Sequence, residues 1–472
     1  FTQNKRREIP AMALRIFNVL GREKQDFVPI NEGQVNMYVC GPTVQDYMHL
    51  GHAKSYVSFD VIRRFLTYSG FNVRYVQNIT DVGHMQVTGE DKIEQKARQL
   101  QAEPMQVVEL YMRYFFEDMD RLGVLRPDIA PRASGHIPEQ IEMIEELIEK
   151  GHAYNVDGNV YFDVTTAEDY GKLSNRRLED QQEGSREDVR GEKRNAADFA
   201  LWKRADDGHI QQWQSPWGVG YPGWHIECSA MAKKYLGATF DIHGGGQDLQ
   251  FPHHENEIAQ SEAVNSCQMA NYWIHNGFVK IDDEKMSKSL GNFFTIRSVL
   301  EKYQAEVVRF FILKAHYRSP LNFAQKNLDE SKQAITKLYL SIRNSKVNKE
   351  YKINWNLKYA NEFKNALNDD FNTPDAIAVL FELALEINKN QNIEDINLLV
   401  KLGNVIGILS QDVEDFLQDN LSVEIDVEGI IKQRDKAKAA KDYHMADKLR
   451  NDLLEKNILI EDTPSGTVWR RK

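Results

Sequence analysis

The sequence has 472 residues, and its 59 lysines and arginines against 70 aspartates and glutamates give a formal net charge of −11. A hydrophobic share of 42% and a charged share of 27% are ordinary for a globular protein and exclude collagen-like, disordered and disulfide-scaffold classes. The length predicts about two to four structural units. The chain has three cysteines, a sparse set that favours a reducing, cytoplasmic location where thiols act as ligands or nucleophiles.

The two ends of the chain differ in charge from its body. Residues 1–13 are a basic leader to which we assign no role in the fold, and no secretory apolar segment follows them. Residues 430–472 hold 11 basic and 7 acidic side chains, so a weakly basic C-terminus follows an acidic body. Such a terminus suits a polyanion, although a solvated helix face explains the charge equally well. No uncharged apolar run of about 18 residues occurs, so no membrane span is predicted.

The first elements in chain order predict a βαβ unit. Residues 35–40 are apolar and β-prone, residues 50–68 carry helical spacing, and residues 72–79 form a second strand. Two strands joined by one helix in this way run parallel, with a right-handed crossover. Ligands of such sheets bind beyond the carboxyl ends of the strands, here beside Cys40 and Thr80.

The rest of the chain is predicted to be mainly helical with short strands. A helix begins near Pro138, and a hairpin turns at 157–159. From about residue 318 to about residue 420 the pattern is helical. One amphipathic helix over 429–456 and a terminal hairpin follow.

The first motif with candidate chemistry is the segment 40–52, Cys-Gly-Pro-Thr-Val-Gln-Asp-Tyr-Met-His-Leu-Gly-His, between the first strand and the first helix. A helix N-terminus offers unpaired N–H groups and a partial positive charge, so it suits phosphate. Gly51 permits close approach of the backbone to a ligand, and His49 and His52 can donate hydrogen bonds to phosphate oxygens. Two surface histidines at a helix start are the alternative interpretation of this segment.

The second motif is Lys-Met-Ser-Lys-Ser-Leu-Gly-Asn, which begins at Lys285 and has its second lysine at Lys288. A loop with two lysines and two hydroxyls can close on a triphosphate and stabilise the charge of its leaving group. Taken alone, two lysines in a loop are by default interpreted as an exposed basic turn.

The third motif is His-His-Glu-Asn-Glu, which runs from His253 to Glu257 on a predicted helix. His253 and Glu257 are four residues apart and share a helix face, which suits two ligands of one metal. Cys40 and Cys228 are candidate ligands from distant parts of the chain, but spacing does not show that the four residues converge. Buried cysteines and a His/Glu pair on a helix surface are the alternative.

The first two motifs together resemble the signature of class I aminoacyl-tRNA synthetases. Longer strings narrow the resemblance to the cysteinyl-tRNA synthetase family, and the likeness extends from about residue 14 to the C-terminus. These strings cover residues 38–44, 222–231, 241–257, 271–279 and 366–374. The sequence departs from the family pattern at Gln45, where tyrosine is usual, at Lys54, where arginine is commoner, and at Asn368, where aspartate is usual.

The resemblance implies an α/β fold with a Rossmann-like class I synthetase catalytic domain and an inserted connective segment. An α-helical anticodon-binding domain and a small C-terminal α+β piece are implied to follow. The implied boundaries are a leader (1–13), the two catalytic halves (14–120 and 223–280), the connective insertion (121–222), a stem-contact region with the lysine motif (281–320), the anticodon-binding bundle (321–420) and a basic tRNA-binding domain (421–472).

The activity that the resemblance implies is ATP-dependent attachment of L-cysteine to tRNA(Cys) through a cysteinyl-adenylate. One zinc ion per chain is implied, with Cys40, Cys228, His253 and Glu257 as its ligands. Zinc prefers thiolate sulfur to an alcohol oxygen, so it would recognise the thiol of the substrate. ATP is expected to act with Mg²⁺. The implied partners are tRNA(Cys), cysteine and ATP, without a membrane, and we expect a monomer.

The resemblance also assigns roles to residues around the active site. The implied catalytic residues are His49, His52, Lys285 and Lys288. The implied nucleotide-binding residues are His49, Gly51, His52, Gly245, Asp248 and Lys288. The implied substrate-binding residues are Cys40, Gly41, Thr80, Trp224 and His243. Segments 366–374 and 470–472 are the candidate tRNA contacts, and a helix cap and turn is the alternative interpretation of 366–374.

Two functions of other classes are alternatives. A cysteine ligase that joins activated cysteine to an amino sugar shares the catalytic motifs but needs no anticodon-binding tail, whereas residues 360–472 are present here. A non-catalytic, zinc-stabilised RNA-binding protein would tolerate loss of the lysines in 285–289, which are intact.

Overall fold

A computed structural model describes residues 13–83, 91–176, 191–281, 284–285, 294–418, 426–463 and 466–471. The described chain divides into two compact units. The first unit contains the described residues up to Ile296, together with Ile312–Phe323 and Lys364–Ala376. The second contains Arg297–Phe311, Ala324–Phe363 and the described residues from Ile377 onwards. Across the described ranges, no helix combines the length and apolar character that crossing a bilayer requires.

The first unit is built of short strands and packed helices. Its strands are β1 (Arg15–Asn18), β2 (Glu23–Asp26), β3 (Gln34–Val39), β4 (Asn72–Gln77), β5 (Ala153–Val156), β6 (Asn159–Phe162), β7 (Phe199–Arg204), β8 (Gly220–Pro222), β9 (Phe240–Gly246), β10 (Ala270–Asn276), β11 (Val279–Ile281), β12 (Glu284–Lys285) and β13 (Leu321–Phe323). Its helices are α1 (Leu50–Tyr68), α2 (Lys92–Leu100), α3 (Pro104–Arg121), α4 (Ile137–Glu149), α5 (Trp224–Leu236) and α6 (Glu255–Asn265).

The centre of the first unit is a four-stranded parallel sheet in the order β10-β9-β3-β4. The helix α1 joins the neighbouring strands β3 and β4, so the predicted βαβ unit is confirmed. Met37, Tyr38 and Val39 are consecutive in β3 and all fully buried. Because successive side chains of a strand point to opposite faces, both faces of the sheet are covered, as is usual for parallel sheets.

A second, antiparallel sheet of the first unit has the order β5-β6-β7-β8. The predicted hairpin at 157–159 is confirmed, since β5 and β6 pair around it. Asp157 and Gly158 both have positive φ, 50° and 89°, as a two-residue type I′ turn requires.

The second unit is mainly helical, in agreement with the predicted helical pattern, while the short strand β13 belongs to the first unit. The helices that lie wholly or mostly in the second unit are α7 (Ile296–Leu300), α8 (Ala305–Leu313), α9 (Gln325–Ile342), α10 (Lys358–Asn368), α11 (Thr373–Asn390), α12 (Ile393–Val405), α13 (Val413–Gln418), α14 (Val427–Ala439) and α15 (Tyr443–Glu455). The strands β14 (Ile458–Thr463) and β15 (Gly466–Arg471) form the predicted terminal hairpin.

The prediction of one continuous helix over 429–456 is wrong, because α14 and α15 are separate. Lys441 adopts a left-handed conformation with φ of 62°, which ends the first helix. Asp442 then caps the second helix by accepting a hydrogen bond from the backbone N–H of Met445 (3.0 Å). The amphipathic pattern continues across the break, so periodicity alone did not reveal it.

Candidate active site and metal centre

A cavity of about 450 Å³ lies at the carboxyl ends of the parallel strands, beside the N-terminus of α1. This is where an α/β sheet is expected to bind its ligand. The structure brings ten of the predicted site residues together around it. These residues are Cys40, Gly41, His49, Gly51, His52, Thr80, Trp224, Cys228, Asp248 and His253.

Four side chains from three distant segments meet at the buried end of this cavity. Cys40 follows β3, Cys228 lies in α5, His253 precedes α6, and Glu257 is in the first turn of α6. Their ligand atoms all lie within 4.8 Å of one another. The sulfurs of Cys40 and Cys228 are 3.9 Å apart, and His253 Nε2 is 3.1 Å from Glu257 Oε1. The convergence that spacing left open is therefore present in the fold.

This donor cluster has the composition and dimensions of a zinc site. Two sulfurs that each lie about 2.3 Å from a tetrahedral zinc ion are about 3.8 Å apart, close to the separation of Cys40 and Cys228. The side chains of the cluster are almost completely buried. Two thiols with one imidazole and one carboxylate form a donor set typical of zinc. The cluster therefore fits a divalent metal.

The protonation of the cluster also suits a metal. Burial disfavours the Cys228 thiolate, but hydrogen bonds from Cys40 and His253 outweigh burial and lower its pKa to about 6. Burial and the neighbouring Cys228 raise the pKa of Cys40 well above its usual range. Burial would lower the pKa of His253, but the charge of Glu257 raises it to about 10. A divalent cation that binds here displaces these protons, so its binding is coupled to pH.

A second set of donors overlaps the first. Cys40 and Glu257 also lie within 4.8 Å of the ligand atoms of His243 and His254. His254 Nε2 is 3.2 Å from Cys40 Sγ, and His243 Nε2 is 2.7 Å from Glu257 Oε2. His243, predicted to bind substrate, is fully buried and contacts Glu257, and it does not line the cavity. Sequence reasoning did not single out His254, although it directly follows His253.

The N-terminus of α1 presents its two histidines to the cavity. His49 caps the helix and accepts a hydrogen bond from the backbone N–H of Gly51 (3.0 Å). The backbone N–H of His49 in turn donates to His52 Nδ1 (3.3 Å), and the two rings are 3.9 Å apart. The imidazoles are half-buried, so both can face an anion that binds at the helix end.

The carboxyl ends of β3 and β4 fix the floor of the cavity. A Cβ on Gly41 would lie 1.5 Å from the carbonyl oxygen of Asn78, so only glycine fits there. Asn78 accepts a hydrogen bond from the backbone N–H of Gly41 (2.8 Å) and donates to Thr80 Oγ1 (3.2 Å). Thr80 donates to the buried carboxylate of Glu227 (3.0 Å). Asn78 was not predicted as a site residue, although its place near the carboxyl end of the predicted strand 72–79 is a usable signal.

Not every predicted nucleotide-binding residue lines the cavity. Asp248 lines the cavity, whereas Gly245 does not, and a Cβ on Gly245 would lie 2.9 Å from the His254 ring. The backbone of Lys285 pairs with Lys280 in the short strand pair β11–β12. Lys288 lies outside the described residues.

Comparisons with known proteins agree with this site. A family model for the class I (C) catalytic domain of tRNA synthetases matches residues 26–333, and a DALR domain model matches residues 362–410. A cysteine–tRNA ligase from Methylobacillus flagellatus is 52% identical over 462 residues, which cover 97% of this chain and 100% of that protein. The chain belongs to the cysteine–tRNA ligase family.

Solved structures of other class I synthetases share the fold of this family member at low sequence identity. The methionyl-tRNA synthetase of Mycobacterium tuberculosis, in complex with methionyl-adenylate, has a TM-score of 0.54 and 14% identity, with 79% of this chain and 89% of that chain covered. A LeuRS–tRNA–LeuAMS complex from Agrobacterium radiobacter K84 has a TM-score of 0.56 and 11% identity, with coverages of 83% and 86%. The predicted fold class, a class I catalytic domain followed by a helical domain, is confirmed.

Membership of the cysteine–tRNA ligase family makes this protein a class I aminoacyl-tRNA synthetase, as predicted. Its cavity belongs to the matched catalytic segment, and so does each member of the donor cluster. The predicted enzyme class therefore rests on both the geometry and the comparisons.

Proposed function

We propose that this protein attaches L-cysteine to tRNA(Cys) in two ATP-dependent steps. The cysteine carboxylate first attacks the α-phosphate of ATP to form cysteinyl-adenylate and pyrophosphate, and the acyl group then passes to the terminal adenosine of the tRNA. The observation that carries this proposal is the buried donor cluster of two cysteines, a histidine and a glutamate at the end of a nucleotide-sized cavity. Two relatives named cysteine–tRNA ligase match this chain over their full length.

The metal that we propose for the donor cluster is zinc, held by Cys40, Cys228, His253 and Glu257. When bound, zinc supplies a thiol-selective Lewis acid at the end of the cavity. Apolar pockets separate near-identical substrates by only about 10- to 200-fold, so a hydroxyl in place of a thiol is better rejected by a metal centre. This would allow cysteine to be distinguished from serine without an editing domain.

The nucleotide would bind between the N-terminus of α1 and the glycine-rich end of β9. His49, Gly51 and His52 are suited to the phosphates, because the helix end adds a partial positive charge. Asp248, which lines the cavity, is proposed to contact adenosine or the substrate amine. Gly245 does not line the cavity, and its proposed role is to let the backbone of this strand end lie close to adenosine. Mg²⁺ would accompany ATP.

The loop that begins at Lys285 is proposed to supply positive charge to the leaving pyrophosphate through Lys285 and Lys288. No covalent intermediate with the enzyme is needed, since such catalysis consists of positioning and electrostatic stabilisation.

The cysteine substrate would lie between the donor cluster and the nucleotide. Gly41, Thr80 and Trp224 line this part of the cavity, and Cys40 belongs to both the wall and the donor cluster. His243 would act indirectly, by holding Glu257 in place (2.7 Å).

The helical segment and the basic C-terminus are proposed to bind tRNA, with the anticodon bundle over 321–420 and a basic domain over 421–472. The catalytic halves (14–120 and 223–280), the connective insertion (121–222) and the stem-contact region (281–320) complete the proposed division. We propose a cytoplasmic monomer.

The two alternative functions are not favoured. A ligase for an amino sugar would not need the DALR-matched segment 362–410. A non-catalytic RNA-binding protein would not need the intact cavity with histidines at a helix N-terminus.

The decisive experiment is ATP–pyrophosphate exchange with each of the twenty amino acids, with and without a zinc chelator. We expect exchange with cysteine alone, lost on chelation and recovered on adding Zn²⁺. Comparable exchange with serine or alanine would contradict the proposal, as would full activity of protein that elemental analysis finds to be free of metal.

Replacing Lys432 and Lys436 together by glutamine should weaken tRNA binding without changing amino-acid activation. Both side chains are exposed and lie one turn apart on α14. Each lost phosphate contact should lower the slope of log binding constant against log salt by about 1. Filter binding across a salt series measures this.

The control for that charge change is Arg74→Gln, which removes an exposed charge near the start of β4, away from the carboxyl ends of the sheet. It should leave the slope unchanged. An equal loss of exchange and tRNA binding in the double variant would indicate misfolding and contradict the assignment.

A further inference from the structure

A second buried cluster of the first unit is centred on Asp370, which takes no part in the donor cluster. The Asp370 carboxylate is fully buried. Its Oδ1 accepts hydrogen bonds from the backbone N–H of Phe17 (2.9 Å) and from the hydroxyl of Tyr317 (2.8 Å). Its Oδ2 accepts from Arg318 Nε (2.7 Å), and His316 Nε2 lies 3.6 Å away. One carboxylate therefore fixes two separate segments of the unit.

The backbone around Asp370 is also in an unusual conformation. Asp370 and Phe371 both have positive φ, 62° and 54°, although neither is glycine. Such conformations persist where the surrounding structure holds them in place. The N–H of Asp370 donates to the carbonyl of Arg15 (2.9 Å), and the Phe371 ring packs edge-on against Phe65 of α1 (6.2 Å). This turn lies in the string 366–374, for which the sequence predicts a tRNA contact or a helix cap.

The loop 316–319, which Asp370 holds, supports a wall of the nucleotide cavity. The backbone N–H of Gly277 donates to the carbonyl of Tyr317 (2.9 Å), and Gly277 lines the cavity. A Cβ on Gly277 would lie 2.5 Å from the carbonyl oxygen of Arg318 and 2.7 Å from that of Ser319. Wall and loop are thus in direct backbone contact, and a displacement of the loop moves the wall.

The same loop is held from a second side by Lys54 of α1. Lys54 is fully buried, and its Nζ donates a hydrogen bond to the carbonyl oxygen of Ser319. It lies two residues after His52, in the helix whose N-terminus faces the cavity. In the part of the chain that the structure describes, no carboxylate pairs with Lys54, so the Ser319 carbonyl is the polar partner found for its ammonium.

We propose that Lys54 and Asp370 are positioning residues for the nucleotide. They clamp loop 316–319 from two sides, so that the wall at Gly277 keeps a fixed place relative to the N-terminus of α1 and its histidines. Neither side chain lines the cavity itself. This inference rests on the proposed function only in taking ATP as the nucleotide, and it assigns the string 366–374 a role in forming the ATP site.

The first test compares Lys54→Met with Lys54→Arg by calorimetric titration of a non-hydrolysable ATP analogue, without amino acid or tRNA. The methionine variant removes the donor to Ser319, and we expect its dissociation constant to rise at least about tenfold. Arginine keeps a donor in the same place and should bind within about twofold of the wild type. Equal binding by both variants and the wild type would overturn the proposal.

The second test compares Asp370→Asn with Asp120→Asn in the steady state. Asparagine at 370 keeps the shape but loses the charge that holds Arg318, so KM for ATP should rise several-fold while KM for cysteine stays within about twofold. Asp120 also pairs with an arginine, the half-exposed Arg126 (2.6 Å), does not line the cavity, and serves as the control, with both constants unchanged. A parallel rise of both KM values in the Asp370 variant would indicate general damage and contradict a positioning role.

The two tests separate this proposal from the proposed function. If the wild type activates an amino acid other than cysteine, the function fails, but analogue binding still reports on Lys54. If the analogue binds all variants alike while cysteine-specific exchange is normal, the positioning role alone fails.

Discussion

Replacing Cys228 by serine should remove the bound metal and cut cysteine-dependent ATP–pyrophosphate exchange by at least about 100-fold. Loss even of an outer partner of a metal ligand typically costs 10- to 100-fold in affinity or activity, and Cys228 is proposed as a direct ligand. A serine hydroxyl stays protonated at neutral pH and is a poor zinc ligand. Elemental analysis of the purified variant and the exchange assay measure the two effects.

Cys267 provides the matched control for this substitution. It is an exposed free cysteine, outside both donor sets. The variant Cys267→Ser makes the same chemical change and should keep both the metal and the exchange activity. A Cys228 variant that retains stoichiometric zinc would show that the zinc is bound elsewhere, and would contradict the assignment of Cys228 as a ligand.

The pH dependence of metal binding follows from the same residues. In the metal-free cluster, the thiol of Cys40 and the imidazole of His253 both hold protons at neutral pH, because their pKa values are raised. A metal must displace these protons, so its affinity should increase as pH rises toward the His253 pKa of about 10. Metal titrations at a series of pH values measure this coupling.

The residues that form the site were largely predictable, whereas the way they are supported was not. Cys40 and Thr80 follow strands of a βαβ unit, and the rule that ligands bind beyond such strands put them in one site. The approach of Cys228 and His253 depends on how α5 and α6 pack. No local sequence pattern encodes that packing. Only the resemblance to the cysteinyl-tRNA synthetase family predicted that these two residues share a site.

The supporting network escaped prediction because it depends on long-range contacts. The sequence predicts that Asp370 is part of a helix cap or of a tRNA contact. Its partners Phe17 and Tyr317 are far away along the chain, so no local pattern reveals these hydrogen bonds. Lys54 stands where the family more often has arginine, and sequence alone gave no reason why a cation belongs there. The hydrogen bond from Lys54 to the Ser319 carbonyl oxygen is a physical reason for a cation at this position.

Replacing Lys288 by alanine should lower the turnover of ATP–pyrophosphate exchange by about 100- to 1,000-fold, with KM for cysteine little changed. Lys288 lies outside the described residues, so this expectation comes from the motif. Removing one group that stabilises charge in a transition state typically has an effect of this size. Because the developing charge is on the leaving pyrophosphate, far from the amino-acid side chain, turnover should suffer and cysteine binding should not.

Lys280→Ala is the matched control for the Lys288 variant. Lys280 is an exposed lysine on β11, and its backbone pairs with that of Lys285. It does not line the cavity. If general positive charge near the loop were sufficient, the two variants would lose activity alike. If Lys288 acts at the pyrophosphate, only its variant should lose turnover, and the loss should persist at saturating ATP, because a group that acts in the transition state cannot be replaced by more substrate.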